Sequence, residues 1–208
     1  LVRNILLSLC SAILLSLSFS RFNLWFLAWV GFVPFFFLLN NKNKKQVFFW
    51  GTFSGFIFWL FTISWLAYVS LPGMIVLSLY MAFYFGIFAL SWSIVYSLSS
   101  IVQLLFIPSV WILLEYTRSH LILGGFPWAL LGYSQYQNLP MIQIADITGV
   151  WGVSWLVMFI NVAIYSGVRC QGSGVRKRIS SLLFPILLAV VVMSYGFYKL
   201  SCPLSPVT

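Results

Sequence analysis

Long uncharged apolar stretches, broken by a few clusters of Lys and Arg, make up almost the whole chain. A bilayer core takes about 20 apolar residues per helix, with about 17 to 25 tolerated. Residues 5–20 lie between Arg3 and Arg21 and give a first span at the short end of that range. Residues 22–39 give a second, closed by the polar run Asn40-Asn41-Lys42-Asn43-Lys44-Lys45. No charge occurs from Gln46 to Leu114, enough chain for about three crossings. Leu71-Pro72-Gly73 reads as a turn signal and Ser97-Leu98-Ser99-Ser100 as a weaker one, which divides the run into spans at 47–69, 74–96 and 101–117. Further spans fall at 149–168 and 179–198. Pro34, Pro108 and Pro185 lie inside these spans, where neighbouring helices and side chains satisfy the carbonyls that proline frees. The pattern predicts an all-α, polytopic transmembrane bundle of about seven spans.

One stretch, 120–148, is neither a span nor an ordinary loop. It carries Gly124-Gly125-Phe126-Pro127-Trp128, then Gly132-Tyr133-Ser134-Gln135-Tyr136. A solvated loop of this length is polar, whereas aromatic residues among Gly and Pro suit the headgroup boundary. Two readings stand. The segment is an aromatic belt anchoring the fold, or it is a wall of a cleft that receives lipid or a lipidated chain, with Phe126, Pro127, Trp128, Tyr133 and Gln135 as the candidate residues.

Composition reinforces the pattern: 62% of residues are hydrophobic, 20% aromatic and 6% charged. A soluble domain carries about a quarter charged residues. The formal net charge of +9 comes from 11 Lys and Arg against 2 acids, but these bases are dispersed and form no nucleic-acid face. Sorted by loop, Arg3, Lys42, Lys44, Lys45, Arg169, Arg176, Lys177 and Arg178 fall on one side, and Arg21, Arg118 and Lys199 on the other. The positive-inside bias then places the N-terminus in the cytoplasm and the C-terminus outside.

The chemistry available is narrow. Glu115 and Asp146 are the only carboxylates, His120 the only imidazole, and Cys10, Cys170 and Cys202 the only thiols. No metal-ligand spacing is present and no cofactor is implied. The cysteines read as small buried hydrophobes and His120 as a surface polar residue. Glu115 precedes Arg118 by one helical turn, in the favourable order, and pairing offsets the burial of an acid near the membrane interface. That pair is either a structural clip or a functional group. Asp146 reads as a cap near the start of the sixth span. Gly51-Thr52-Phe53-Ser54-Gly55 is a small-xxx-small pattern suited to close helix contact.

Several motifs together resemble the membrane part of bacterial apolipoprotein N-acyltransferases. They are Glu115-Tyr116-Thr117-Arg118, Gly125-Phe126-Pro127-Trp128, Gly132-Tyr133-Ser134-Gln135, Ile144-Ala145-Asp146-Ile147-Thr148-Gly149 and Gly152-Val153-Ser154 through Asn161. Upstream, Phe19-Ser20, Trp25 and Ser64-Trp65-Leu66-Ala67-Tyr68-Val69-Ser70 join them, so the resemblance covers nearly all of 1–208 as one N-terminal transmembrane domain. It implies residence in the bacterial inner membrane, with phospholipid and diacylated lipoprotein as partners. It also implies a periplasmic nitrilase-like domain bearing a Glu-Lys-Cys triad, in which Cys takes an acyl group from phospholipid as a thioester and passes it to the lipoprotein amine. Residues 1–208 hold no such triad, so catalysis is expected from a separately encoded domain or a longer reading frame. Leu1 in place of Met and the end at Thr208 read as signs of a truncated or split gene. The alternative is a non-catalytic lipid-binding or assembly protein derived from the family.

Overall fold

The computed structural model describes residues 1–19, 22–120, 125–169 and 175–201, without the side chains of 100 and 175–182. Arg21, Cys170 and Cys202, and the side chains of Arg176, Lys177 and Arg178, lie outside the described residues. The described chain is helical and contains no strand. Its helices are α1 (Val2–Leu17), α2 (Val33–Leu39), α3 (Lys44–Thr62), α4 (Leu71–Val95), α5 (Ser100–His120), α6 (Leu139–Ile142), α7 (Ala145–Arg169) and α8 (Val175–Ser201). Three 3-10 turns, Trp25–Trp29, Ser64–Tyr68 and Leu131–Gln135, lie in the connections. Among the described residues, four stretches are long and apolar enough to cross a membrane: Leu71–Val95, Ile101–His120, Ala145–Arg169 and Leu183–Ser201. Val2–Leu17 and Trp25–Leu39 are shorter apolar helical stretches.

α1 is arranged inside out relative to a soluble helix. Its buried face is Ser8, Ser11, Ala12, Leu15 and Ser16, while Leu6 and Ile13 are exposed. Small residues let backbones approach where no hydrophobic force separates lipid from protein. Ser11 donates to the Gly31 carbonyl at 2.6 Å, and a β-carbon on Gly31 would lie 2.6 Å from the Leu15 side chain. Cys10 projects from the exposed face of this helix, contrary to the expectation of burial. An apolar environment on that face suits a thiol as well as a core would.

The second predicted span, 22–39, is broken. A 3-10 turn covers Trp25–Trp29 and α2 begins only at Val33, so Pro34 sits in the first turn of a short helix, where a missing N–H costs nothing. The break is held by Asn161 of α7, whose carboxamide accepts from the Phe32 N–H at 2.9 Å and donates to the Ala28 carbonyl at 2.8 Å. Asn161 is completely buried, and its amide supplies both partners that the interrupted backbone lacks.

α3 and α4 pack closely through glycine. A β-carbon on Gly51 would lie 2.5 Å from the Ala89 β-carbon, and one on Gly55 would lie 2.6 Å from that of Phe85. The small-xxx-small pattern therefore marks a real helix contact. The span expected at 47–69 ends as a helix at Thr62, and Leu71-Pro72-Gly73 belongs to α4 and not to a turn. Ser70 caps α4, its hydroxyl accepting from the Gly73 N–H at 3.2 Å, and proline again occupies the first helical turn. The α4–α5 turn lies where the serine cluster places it. Gln103 closes it by donating to the Val95, Tyr96 and Leu98 carbonyls at 3.0–3.2 Å.

Aromatic side chains fill the centre. Phe36 stacks on Trp92 with ring centroids 4.4 Å apart, and Trp111 meets Phe32 and Phe88 edge-on at 4.8 and 4.9 Å. α7 bends at Gly149, which has φ +65°, so its long straight part starts where the sixth span was expected. The Asp146 carboxylate does not cap this helix. It accepts from Tyr195 at 2.8 Å and pairs with Lys199 at 2.8 Å, tying the start of α7 to the end of α8. Gly196 packs directly on the Pro140 carbonyl beside this link.

Candidate functional site

The irregular segment after α5 follows from its sequence. Gly125 has φ +86°, and a β-carbon there would run into the Ser119 carbonyl, so only glycine permits the reversal off the helix end. Ala129 also adopts a left-handed conformation, with φ 51°, which is uncommon for a residue with a β-carbon. Irregular backbone at this depth needs partners for its polar groups.

Glu115 and Arg118 supply them. The Arg118 guanidinium donates to the Phe126 and Trp128 carbonyls, each at 2.8 Å, and to the Ala129 carbonyl at 3.2 Å. Glu115 Oε1 accepts from the Leu131 N–H at 2.7 Å. Both side chains are buried, at 1% and 4% exposure, and their own separation is 3.9 Å. The ion pair is therefore long: Arg118 spends its donors on the backbone of 126–129, and Glu115 takes one backbone N–H through Oε1 and faces Arg118 as its nearest cation. Arg118 also lies 5.1 Å from the centroid of Trp59. Its burial within α5 removes it from the set of outer-loop cations used for the charge count.

The rest of the segment is pinned from three other elements. Gly132 N–H donates to Ser154 of α7 at 2.7 Å. Gln135, fully buried, accepts from the Trp29 indole at 2.9 Å and donates to the Trp25 carbonyl at 3.0 Å. Tyr136 donates its hydroxyl to Asn23.

This scaffold forms one wall of a cleft of about 940 Å³. Trp128, Ala129 and Tyr133 line it from the segment, the end of α1 contributes Ile13, Ser16 and Leu17, and the stretch from Phe61 to Tyr68 closes the other side. Trp65 and Trp128 meet across it with centroids 5.5 Å apart. Drug-sized ligands are held in clefts of about 300–1,000 Å³ with mostly apolar walls. Among the described residues the lining adds the hydroxyls of Ser16, Thr62, Ser64, Tyr68 and Tyr133 and the indoles of Trp65 and Trp128 to its apolar side chains. Among the described lining residues there is no carboxylate, amine, imidazole or thiol.

Of the five residues singled out from sequence, Trp128 and Tyr133 line the cleft. Phe126 lies behind it, packed on Trp59 at 6.0 Å, and Pro127 is exposed beside it. Gln135 is not in the wall, because its amide holds the Trp25–Trp29 turn. Sequence reasoning did not single out the α1 contribution or Phe61 and Thr62. The helical repeat of small residues on α1 was the available signal, since it marks the face turned toward α3. His120 is exposed and stacks on Tyr116 away from the cleft, at 4.4 Å. Among the described residues no group of His, Cys, Asp and Glu is placed to hold a metal.

The chain matches the family model described as the apolipoprotein N-acyltransferase N-terminal domain over residues 11–163. It is 34% identical to the apolipoprotein N-acyltransferase of Geobacter metallireducens, over 97% of this chain and 41% of that protein. It is 29% identical to apolipoprotein N-acyltransferase 1 of Treponema denticola, over 76% of this chain and 30% of the relative. A third relative, the apolipoprotein N-acyltransferase of Pasteurella multocida, is 28% identical over 77% of this chain and 32% of its own length. The chain thus spans less than half of each relative. With its long apolar helices it is a multi-pass membrane protein. The matched region contains both walls of the cleft and the Glu115–Arg118 clamp, and the chain belongs to the apolipoprotein N-acyltransferase family through that N-terminal domain.

Proposed function

We propose that residues 1–208 form the membrane platform of an N-acyltransferase that moves an acyl chain from phospholipid to the N-terminal amine of diacylated lipoproteins. In this reading the chain crosses the bacterial inner membrane seven times, with its N-terminus in the cytoplasm. The cleft receives acyl chains, and the Glu115–Arg118 clamp fixes the wall against which they lie. A nitrilase-like domain supplies the Glu-Lys-Cys chemistry, so residues 1–208 bind substrate without transferring acyl groups by themselves.

The cleft of about 940 Å³ carries the proposal, because its lining is apolar and hydroxylic and fits hydrocarbon chains. Trp128 is 55% exposed, lines the cleft and meets Trp65 there. Trp128→Ala, in a chain joined to a complete nitrilase-like domain, is expected to lower acyl transfer about tenfold, the value of one aromatic contact. Membrane insertion should be unchanged. Wild-type transfer in that variant would reduce the aromatic segment to an anchor.

The apolar and hydroxyl-bearing lining of the cleft also fits a second reading, a lipid-binding or assembly protein derived from the family. It predicts that residues 1–208 retain diacylated peptide without any added domain and that adding one yields no transfer.

A further inference from the structure

A second concavity, of about 400 Å³, lies at the opposite end of α1 and α3 from the aromatic cleft. Arg3 and Asn4 of α1, Asn40, Asn41 and Lys42 of the α2–α3 connection, and Gln46 of α3 line it. The two cations are close enough to act on each other. Partial burial, and then the Arg3 charge, lower the Lys42 ammonium's pKa from its ordinary value.

No acid relieves them. The chain has only two acidic residues, and both are committed at the other end, Glu115 to the Leu131 N–H and Asp146 to Lys199. The Lys42 ammonium spends one donor on the Leu38 carbonyl at 2.5 Å, which leaves two N–H groups for another acceptor. Asn40 accepts from the Tyr165 hydroxyl at 2.7 Å through its oxygen, which leaves its NH2 group to donate. α3 starts beside the pocket, and the positive end of its dipole adds to the field. Donors and positive charge converge here without a partner anion among residues 1–208.

An apolar track leads away from the same pocket. Trp50 forms part of its wall and, itself buried, backs Phe49 at 5.4 Å and Phe53 at 5.6 Å, which stack on each other at 6.3 Å. Phe49 is 59% exposed. A molecule with an anionic head in the pocket can lay hydrocarbon along these rings.

We infer that this pocket binds the phosphate of a phospholipid headgroup, with Arg3 and Lys42 as counter-charges and the Phe49–Phe53 face as the seat of an acyl chain. The inference does not depend on the aromatic cleft or on acyl transfer. It is tested on the full chain in detergent by native mass spectrometry, with phosphatidylglycerol titrated in and the bound lipids counted. Wild type should hold one more phosphatidylglycerol than Arg3→Gln/Lys42→Gln, with the affinity of that lipid lowered about tenfold in the variant. Arg3→Lys/Lys42→Arg should keep it, and diacylglycerol, which lacks phosphate, should not fill the site. Arg3→Gln alone leaves the Lys42 contact to α2 in place and should already weaken binding, so the test does not rest on a variant with altered folding. Inorganic phosphate binding that requires Arg3 and Lys42, without a matching phospholipid, would keep the anion site and overturn its lipid source. Equal lipid counts and affinities in wild type and both neutral variants would overturn the inference.

Discussion

Arg118 touches three carbonyls of the irregular segment at 2.8–3.2 Å, whereas Glu115 lies 3.9 Å from it. A buried ion pair is weak evidence of stability by itself, because desolvation opposes the Coulomb attraction. The backbone contacts here weigh more. Arg118→Met would leave the carbonyls of Phe126, Trp128 and Ala129 without their donor and Glu115 without its nearest cation, and a loss of about 3–5 kcal/mol is expected. Glu115→Gln keeps a carbonyl oxygen for the Leu131 N–H and should cost about 1 kcal/mol. Unfolding by denaturant titration in micelles distinguishes these values. Equal losses would mean that the charge pair, and not the grip on the backbone, holds the wall. The sequence shows the spacing of the two charges on one helix turn but not their true partners, which lie 8 to 16 positions further along.

Elements that depend on local composition were legible, and those set by distant partners were not. The α3–α4 contact was visible as Gly51 and Gly55 one turn apart, and the α4–α5 turn as a run of serines. The break in 22–39 was hidden in a uniformly apolar run because it rests on Asn161, 129 positions away from Phe32. Leu71-Pro72-Gly73 was ambiguous on physical grounds, since proline two positions after a serine suits both a turn and the first turn of a helix. Trp128 and Tyr133, singled out for their aromatic rings, line the cleft, whereas Gln135, two positions beyond Tyr133, is turned to the Trp25–Trp29 turn by partners more than 100 positions away. The packing of α3 on α4 gives a direct test. Gly51→Val places side-chain atoms against Ala89 and the Phe85 carbonyl and should cost about 1–3 kcal/mol by overpacking. Gly73→Ala, whose nearest atom would be the Ser70 hydroxyl at 3.1 Å, should be close to neutral. Thermal melts of the two variants should separate clearly, and overlapping melts would show that α3 and α4 can part without loss.

At the scale of the whole molecule the two ends differ in charge and in chemistry. Arg3, Lys42, Lys44, Lys45 and Arg169 gather at one end, where Arg169 lies 4.0 Å from the Tyr96 ring centroid and Tyr165 bonds Asn40. The other end holds the aromatic cleft, both acids, and the Asp146–Lys199 link that fastens α8 to the start of α7. Cations near a membrane favour the cytoplasmic face, so the cleft is expected on the outer one. Ser97, in the α4–α5 turn, and Gln137, just after the aromatic segment, are both exposed and report on the two ends. In a background with Cys10, Cys170 and Cys202 changed to Ser, a membrane-impermeant maleimide applied to intact cells should label Gln137→Cys. It should label Ser97→Cys only after the membrane is opened. The reverse pattern would overturn the orientation, and labelling of both from outside would overturn the placement of the two ends on opposite faces. With the expected pattern, the end of α8 shares the face of the cleft, since Tyr195 and Lys199 both hold Asp146. A domain that follows α8 would then start on the membrane face that carries the cleft, as the proposed acyl transfer requires.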